Sequence, residues 1–237
     1  MSYKAFSSTK FLDATITAMT HPLTVCIWVK KSATEWAASS DDIAGHLSDN
    51  FTDDNEAIEI YTRADTFRAS WKQGASAQIS SEHVFTDGDY DDVWVPLIVK
   101  YTSATSYIVY IENTSNAGAL KTTSRNLTGL DSFRLGEYMS LSVPFEGKLG
   151  EVTVWDVALS DANINLINPT AGTGPAGNTI ASANCVGYWP LVVDQSTHVD
   201  ESGTANGSFV LTGAPTFDSD HPVITSSGNP WYHYAQQ

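Results

Sequence analysis

Oxygen-bearing side chains crowd one stretch of the sequence: Asp41, Asp42, Asp49, Asn50, Asp53, Asp54, Asn55 and Glu56. Hard oxygen donors at that density suit Ca2+, which takes about six to eight of them. The spacing does not fit an EF-hand loop, which needs a central Gly and a closing Glu. The expectation is therefore an acidic loop between strands, with Asp41, Asp42, Asp49, Asn50, Asp53 and Asp54 as candidate ligands. A plain solvated loop is the alternative. His21, His46, His83, His198, His221 and His233 have no metal-ligand spacing, so a transition-metal site is not expected.

Aromatic residues offer a different chemistry. Trp36, Tyr61, Trp71, Tyr90 and Tyr138 are candidate platforms for stacking a sugar ring, with core packing or a protein interface as the competing reading. Trp36 stands out because it lies beside Glu35 in a Ser/Ala-rich stretch, not within a strand. Trp71 reads equally well as a core residue. Near the C-terminus Trp231, Tyr232 and Tyr234 cluster after a Ser/Gly turn. Aromatics left in water would be costly, so this tail is expected to dock on its own sandwich or on a neighbouring subunit.

Catalysis finds little support. A glycosidase needs two carboxylates facing one scissile bond. The nearest array, Glu151-Val-Thr-Val-Trp-Asp156, has an odd separation and places its acids on opposite faces of a regular strand. No Gly-x-Ser-x-Gly elbow or phosphate loop is present. Gly172, Gly174 and Gly177 spell a dinucleotide fingerprint without the strand and helix that would give it meaning. The expectation is a protein that is not an enzyme.

The elements that must position these residues are short. Period-two runs broken by Gly, Asp, Asn and Ser dominate the chain of 237 residues. Leu23–Lys30 reads as a strand; Ala57–Tyr61 and Thr66–Lys72 read as a hairpin; Trp94–Tyr101 and Ser106–Glu112 read as another. Asp131–Leu135, Lys148–Trp155, Cys185–Val193 and Gly207–Leu211 continue the pattern. One short helix is expected near 160–168, with Ser160 as N-cap and Ile164 and Ile167 on its apolar stripe. Many strands with one short helix imply an all-β, two-sheet antiparallel sandwich in a single domain, 1–237, with a long loop at 170–184. Cys26 and Cys185 read as two buried thiols, with one bridge as the alternative.

Charge is uneven. Lys and Arg number 12 against 27 Asp and Glu, for a formal net charge of −15. Nucleic acid and anionic membranes are poor partners for such a chain. No apolar run is long enough to span a bilayer, and the N-terminus has no basic patch leading into an apolar run. After Lys148 there is no Lys or Arg, although eight acids follow.

Several segments together resemble a known family. Leu23-Thr-Val-Cys-Ile-Trp-Val-Lys30 is similar to the early tryptophan strand of the laminin-G-like and concanavalin-A-like jelly rolls. Trp94–Tyr101 followed by Tyr107–Asn113 resembles their central strand pair, although the glycine after the second strand is missing here. Phe133-Arg-Leu-Gly136 followed by Phe145-Glu-Gly-Lys-Leu-Gly-Glu-Val-Thr-Val-Trp-Asp-Val-Ala-Leu-Ser160 looks like their late signature. Val186–Leu191 resembles the closing strand of the laminin-G-like branch. The resemblance implies a jelly roll of the non-catalytic branch, with Trp28 and Trp155 filling the space between the sheets. It raises the expectation of a bound calcium ion and of glycan binding through Trp36, Tyr61, Trp71 and Tyr138. As a reading of context, it implies a bacteriophage virion surface protein, in capsid decoration, tail or fibre. The partners would then be other structural subunits in a homo-oligomer or assembly, and surface glycans. A carbohydrate-binding module or calcium-dependent lectin, with an extracellular location, is the alternative.

Overall fold

The β-branched and aromatic alternation of the sequence folds as strands almost throughout. The computed structural model describes residues 2–51, 56–74, 79–138, 143–168, 173–191, 194–204 and 206–225. Strands are numbered here in chain order. One sheet of seven strands runs β16 (Thr216–Asp218), β1 (Ser2–Lys4), β11 (Lys148–Trp155), β3 (Leu23–Lys30), β8 (Val95–Ser103), β9 (Ser106–Ile111). Its seventh strand, β13 (Cys185–Trp189), pairs with the far half of β11. The second sheet, of eight strands, runs β14 (Thr197–His198), β15 (Phe209–Thr212), β2 (Phe11–Met19), β10 (Leu130–Leu135), β4 (Asp42–Ser48), β5 (Glu56–Thr62), β6 (Thr66–Gln73), β7 (Ile79–Val84). A small parallel pair, β12 (Thr173–Pro175) and β17 (Val223–Thr225), lies apart. The helices are α1 (Ala33–Trp36) and α2 (Asp161–Ile167). The result is the expected two-sheet antiparallel jelly roll.

Alternation along β3 sorts its side chains between two cores. Leu23, Val25, Ile27 and Val29 join the inter-sheet core, which draws residues from Tyr3 to Phe209. Cys26 and Trp28 point the other way, into a second buried cluster on the outer face of the same sheet. Trp155 of β11 belongs to that cluster as well. The expectation that Trp28 and Trp155 fill the inter-sheet space is thus corrected. Both are buried, but on neighbouring strands of one sheet, beneath an outer cover. The cover is α2 with the segment around Ile180. Ser160 Oγ accepts from Asn163 N at 3.2 Å and starts the helix. Ile164 and Ile167 pack onto the tryptophans, and Trp155 Nε1 donates to Ile180 O at 2.7 Å. Cys26 and Cys185 sit in this outer cluster as free, buried thiols.

The acid-rich stretch is the second correction. Its composition reads as loop, yet Asp42–Ser48 is the interior strand β4 of the larger sheet. Ala44 and Leu47 supply inter-sheet core contacts. Gly45 admits close packing there, since a Cβ at that position would lie 2.5 Å from Ile27 Cδ1. The segment at 170–184, expected as loop, carries β12 and two 3-10 turns among its described residues. The late strand expected over Cys185–Val193 ends at Trp189. No helix among the described residues is long and apolar enough to cross a membrane.

Candidate functional site

Where β3 ends and β11 begins, the chain builds an open cavity of about 470 Å3. Lys30 and Lys148 face each other across the β3–β11 ladder at its rim. A capping box sets the Ser32–Glu35 wall: Glu35 N donates to Ser32 Oγ at 3.4 Å, and Ser32 N donates to Glu35 Oε2 at 2.6 Å. Asp92 N donates to Lys31 O at 2.9 Å and fixes the Asp92 turn beside it. The Phe145-Glu146-Gly147-Lys148 segment supplies the remaining wall, with Phe6 opposite. Two glycines make that approach sterically possible. A Cβ on Gly136 would stand 2.1 Å from the Phe6 ring, and one on Gly147 would stand 2.8 Å from Lys30 O. Both also hold positive φ, +81° and +131°.

Four of the chain's 12 basic residues line this one cavity: Lys4, Lys30, Lys31 and Lys148. Lys31 is buried, and its Nζ donates to Asp42 Oδ2 at 2.5 Å and to Thr62 Oγ1 at 2.8 Å. The ammonium also lies 5.1 Å from the Phe145 ring centroid and 5.4 Å from that of Trp36. Burial pulls the Lys31 pKa down and pushes that of Asp42 up to about 6, each working against the attraction between the two. The other three lysines are tied to the C-terminal segment. Lys4 reaches Asp218 at 2.5 Å, and Lys30 and Lys148 reach Asp220 at 2.9 and 2.8 Å. Hydrogen bonds from Lys4 and from the backbone at Asp220 hold the Asp218 pKa down at about 2. Against the opposing effect of burial, bonds from Lys148, Lys30 and Trp94 hold Asp220 far below the usual carboxylate range. With the lysine heads so engaged, the acids of the lining, Glu35, Asp92 and Glu146, supply the acceptors that face the cavity.

The residues singled out in the sequence are distributed more widely. Asp41 and Asp42 stand at the start of β4 and Asp49 and Asn50 beyond its end, about 20 Å away for a strand of that length. Asp42 is committed to Lys31, Asp41 lies 3.4 Å from Arg63, and Asn50 Nδ2 donates to Asp49 Oδ1 at 3.1 Å. These four residues therefore do not converge on one ion. Asp53, Asp54, Trp231, Tyr232 and Tyr234 lie outside the described residues. Among the described residues no group of three or more His, Cys, Asp and Glu side chains is arranged to hold a metal.

The aromatic candidates are buried. Trp36 is 1% exposed, donates from Nε1 to Tyr90 O at 3.0 Å and packs edge-on against Phe85. Trp71 packs edge-on against the stacked pair Tyr101 and Tyr107 in the inter-sheet core. Tyr61 and Tyr138 do come together, with Ile43, on the outer face of the eight-stranded sheet. There Tyr138 stacks on His46 at 4.7 Å and donates to Glu59 Oε1 at 2.8 Å, a covered arrangement without an open ring face. The stretch around Trp36 does reach the cavity, but through Glu35. Asp92, Glu146 and the lysines carried no spacing cue of their own. The only signal for Glu146 was its place inside the Phe145–Lys148 segment. Glu151 and Asp156 do not share a cleft: Glu151 is buried against Tyr188 and Gly177, and Asp156 is exposed.

Every residue of the cavity wall except Lys4 falls within a segment that matches a known family. A family model described as the concanavalin A-like lectin/glucanases superfamily, Laminin_G_3, matches residues 5–165. This chain belongs to that family. The Laminin_G_3 family represents the non-catalytic branch of the superfamily. No curated protein matches the sequence. Among solved structures, a native heptameric SAP-like pentraxin from Limulus polyphemus aligns with TM-score 0.55 at 16% identity, over 87% of this chain and 93% of its own. The IT-sialidase CBM40 of Ruminococcus gnavus, bound to α2,3-sialyllactose, aligns with TM-score 0.49 at 14% identity, over 69% and 96%. Domain 4 of a Geobacillus stearothermophilus GH43 extracellular arabinanase, in complex with arabinotriose, aligns with TM-score 0.47 at 18% identity, over 62% and 66%. At these identities the pentraxin shows a shared fold. The laminin-G-like segment of this chain runs from just after β1 into α2, so the strands from β12 onward lie beyond it.

Proposed function

We propose that this laminin-G-like chain is a non-catalytic carbohydrate-binding domain whose ligand enters the cavity between Lys30 and Lys148. The carrying observation is the convergence there of three acceptor carboxylates, Glu35, Asp92 and Glu146. Sugar hydroxyls need hydrogen-bond acceptors at fixed positions. A cavity of about 470 Å3 lies within the size range of small-molecule sites. The family match supports this reading better than the virion-surface reading of the sequence.

A glycan array with purified protein tests it, with and without chelator so that calcium dependence is read in the same experiment. The expected result is binding to at least one oligosaccharide that Glu146→Ala and Asp92→Asn abolish. Both side chains are exposed, so the thermal midpoint should not move. A blank array, or binding indifferent to both variants, overturns the assignment. An assembly seen by electron microscopy together with a blank array would favour the virion-surface protein.

A further inference from the structure

Lys31 and Asp42 come from different sheets. Lys31 follows the last residue of β3, and Asp42 is the first residue of β4. The short helix α1 lies between them in the chain, and their side chains meet across the end of the sandwich. Each partner is fixed independently of the other. Lys31 O accepts from Asp92 N at 2.9 Å, and Asp42 stands opposite Thr62 in the β4–β5 ladder. Thr62 Oγ1 accepts from Lys31 Nζ at 2.8 Å, which holds the amine beside the neighbouring carboxyl group.

This contact suits acylation as well as ion pairing. Nζ lies 2.5 Å from Oδ2, with side-chain exposures of 1% and 3%. The carboxyl carbon is one bond further, which puts Nζ at about the 3–3.5 Å of a near-attack pair. The buried rings of Trp36 and Phe145 flank the amine and keep bulk water from the pair. Burial lowers the Lys31 pKa and raises that of Asp42, and both shifts favour the uncharged amine and acid that condensation needs. Lys31 also lines the open cavity, which gives a released water a way out.

We propose that Lys31 and Asp42 condense to an intramolecular isopeptide bond, a covalent staple between the two sheets. A proton first passes from the ammonium to the carboxylate, giving amine and acid. The Nζ lone pair then attacks Cγ, an N–H proton moves to the departing hydroxyl, and one water leaves. No oxidant or cofactor takes part. The ion pair is the precursor and the amide forms after folding, because only the folded chain takes the pair out of water. The staple does not depend on what occupies the cavity.

Intact mass of the full chain under denaturing conditions tests this, on fresh protein and after prolonged incubation in native buffer. The expected result is a deficit of one water, about 18 Da, that grows with incubation. Tryptic mapping locates it. The unlinked chain is cut after Lys31 and gives peptide 32–63, because no Lys or Arg intervenes before Arg63. The linked chain gives peptide 31–63 instead, lighter by one water and without backbone fragment ions between Lys31 and Asp42. Lys31→Arg keeps the positive charge but has no amine to acylate, and it should show the full mass. The parent chain carries the first readout, so poor folding of the variant does not weaken the test. Three results would overturn the proposal: full mass after incubation, the same deficit in Lys31→Arg, or a water loss that maps to another peptide. The last would mark dehydration at an aspartate such as Asp87, which precedes Gly88.

Discussion

Asp42, behind the lysine-lined cavity, and Glu151, beneath the outer cover, are two buried carboxyl groups held by different chemistry. Asp42 has a cation, the buried Lys31. Glu151 lies where the nearby chain offers none, since the sequence beyond Lys148 lacks Lys and Arg. Neutral donors serve instead: Gly177 N at 2.9 Å to Oε1, Tyr188 OH at 3.0 Å to Oε2, and Thr153 Oγ1 at 3.4 Å. Burial outweighs those bonds and raises the Glu151 pKa to about 7. The difference has a functional side. The end of the sandwich with cations spends them on its own carboxylates, and its ligand meets acceptors. Near the start of β3 the cation is Lys100, and it too is spent on a carboxylate of the chain, Asp161 at the first turn of α2, 2.9 Å away.

The pairing of Asp42 is the easiest part of this contrast to break. Lys31→Met leaves a buried carboxylate without its ion-pair partner and should cost about 3–5 kcal/mol of folding stability. Adding Asp42→Leu should recover most of the loss, because a packed apolar pair can replace a buried ion pair. Denaturant unfolding of the single and double variants checks both expectations. If the single variant loses under ~1 kcal/mol, the Lys31–Asp42 bond is not what holds this end together.

The Glu151 side predicts a pH signature. Its folded pKa lies near 7 and its ordinary value is 4.5, so the folded chain holds this proton more tightly than the unfolded chain does. The stabilisation is therefore complete below about pH 4.5 and is lost as pH rises through 7. Its full size is on the order of 3 kcal/mol. Glu151→Gln removes this dependence while keeping a group that can accept from Gly177. The stability difference between Gln variant and parent should shift in favour of the variant by that amount between pH 4.5 and 7. Parallel pH curves would show that neighbouring donors keep Glu151 ionised throughout.

The sequence makes the strands legible wherever alternation is clean. β3, β8, β9 and β11 stand close to where the pattern places them, and Ser160 caps α2 as its position suggests. Alternation does not say which of two faces carries the main core. Trp28 and Trp155 are large enough to suggest the inter-sheet space, yet the neighbouring Val25, Ile27, Val29, Val152 and Val154 take that side. β4 was hidden because its flanking acids gave it the composition of a loop, while its burial comes from pairing with β5 and β10. The same effect misplaced the site. Trp36 drew attention by its type, but a tryptophan in a one-turn helix against Phe85 and Tyr90 is a packing anchor. Glu35, Asp92 and Glu146 are ordinary surface acids one at a time, and only the meeting of α1, the Asp92 turn and the start of β11 makes them a group.

The smallest expected effect lies in the clasp between Lys4, Lys30 and Lys148 and the acids of the C-terminal segment. These pairs are partly exposed, with side-chain exposures of 42% for Lys4 and 16% for Asp218. Each should contribute no more than about 1 kcal/mol at low salt and less as salt screens it. The Asp218 pKa is held at about 2, below its ordinary 3.8, so its contribution is present above pH 4 and is lost as pH falls through 2. Asp218→Asn should therefore weaken the fold slightly at pH 7, and the effect should vanish as the pH is taken below 2. The gap between variant and parent should also narrow as sodium chloride is added at pH 7. Because Asp218 lies on β16, which pairs with β1, hydrogen exchange at Ser2–Lys4 should rise in the variant while exchange along β4 stays unchanged. Exchange rising equally in both strands would mean that the clasp stabilises the whole sandwich. An unchanged rate in β1 would mean that backbone pairing alone holds the C-terminal strand in place.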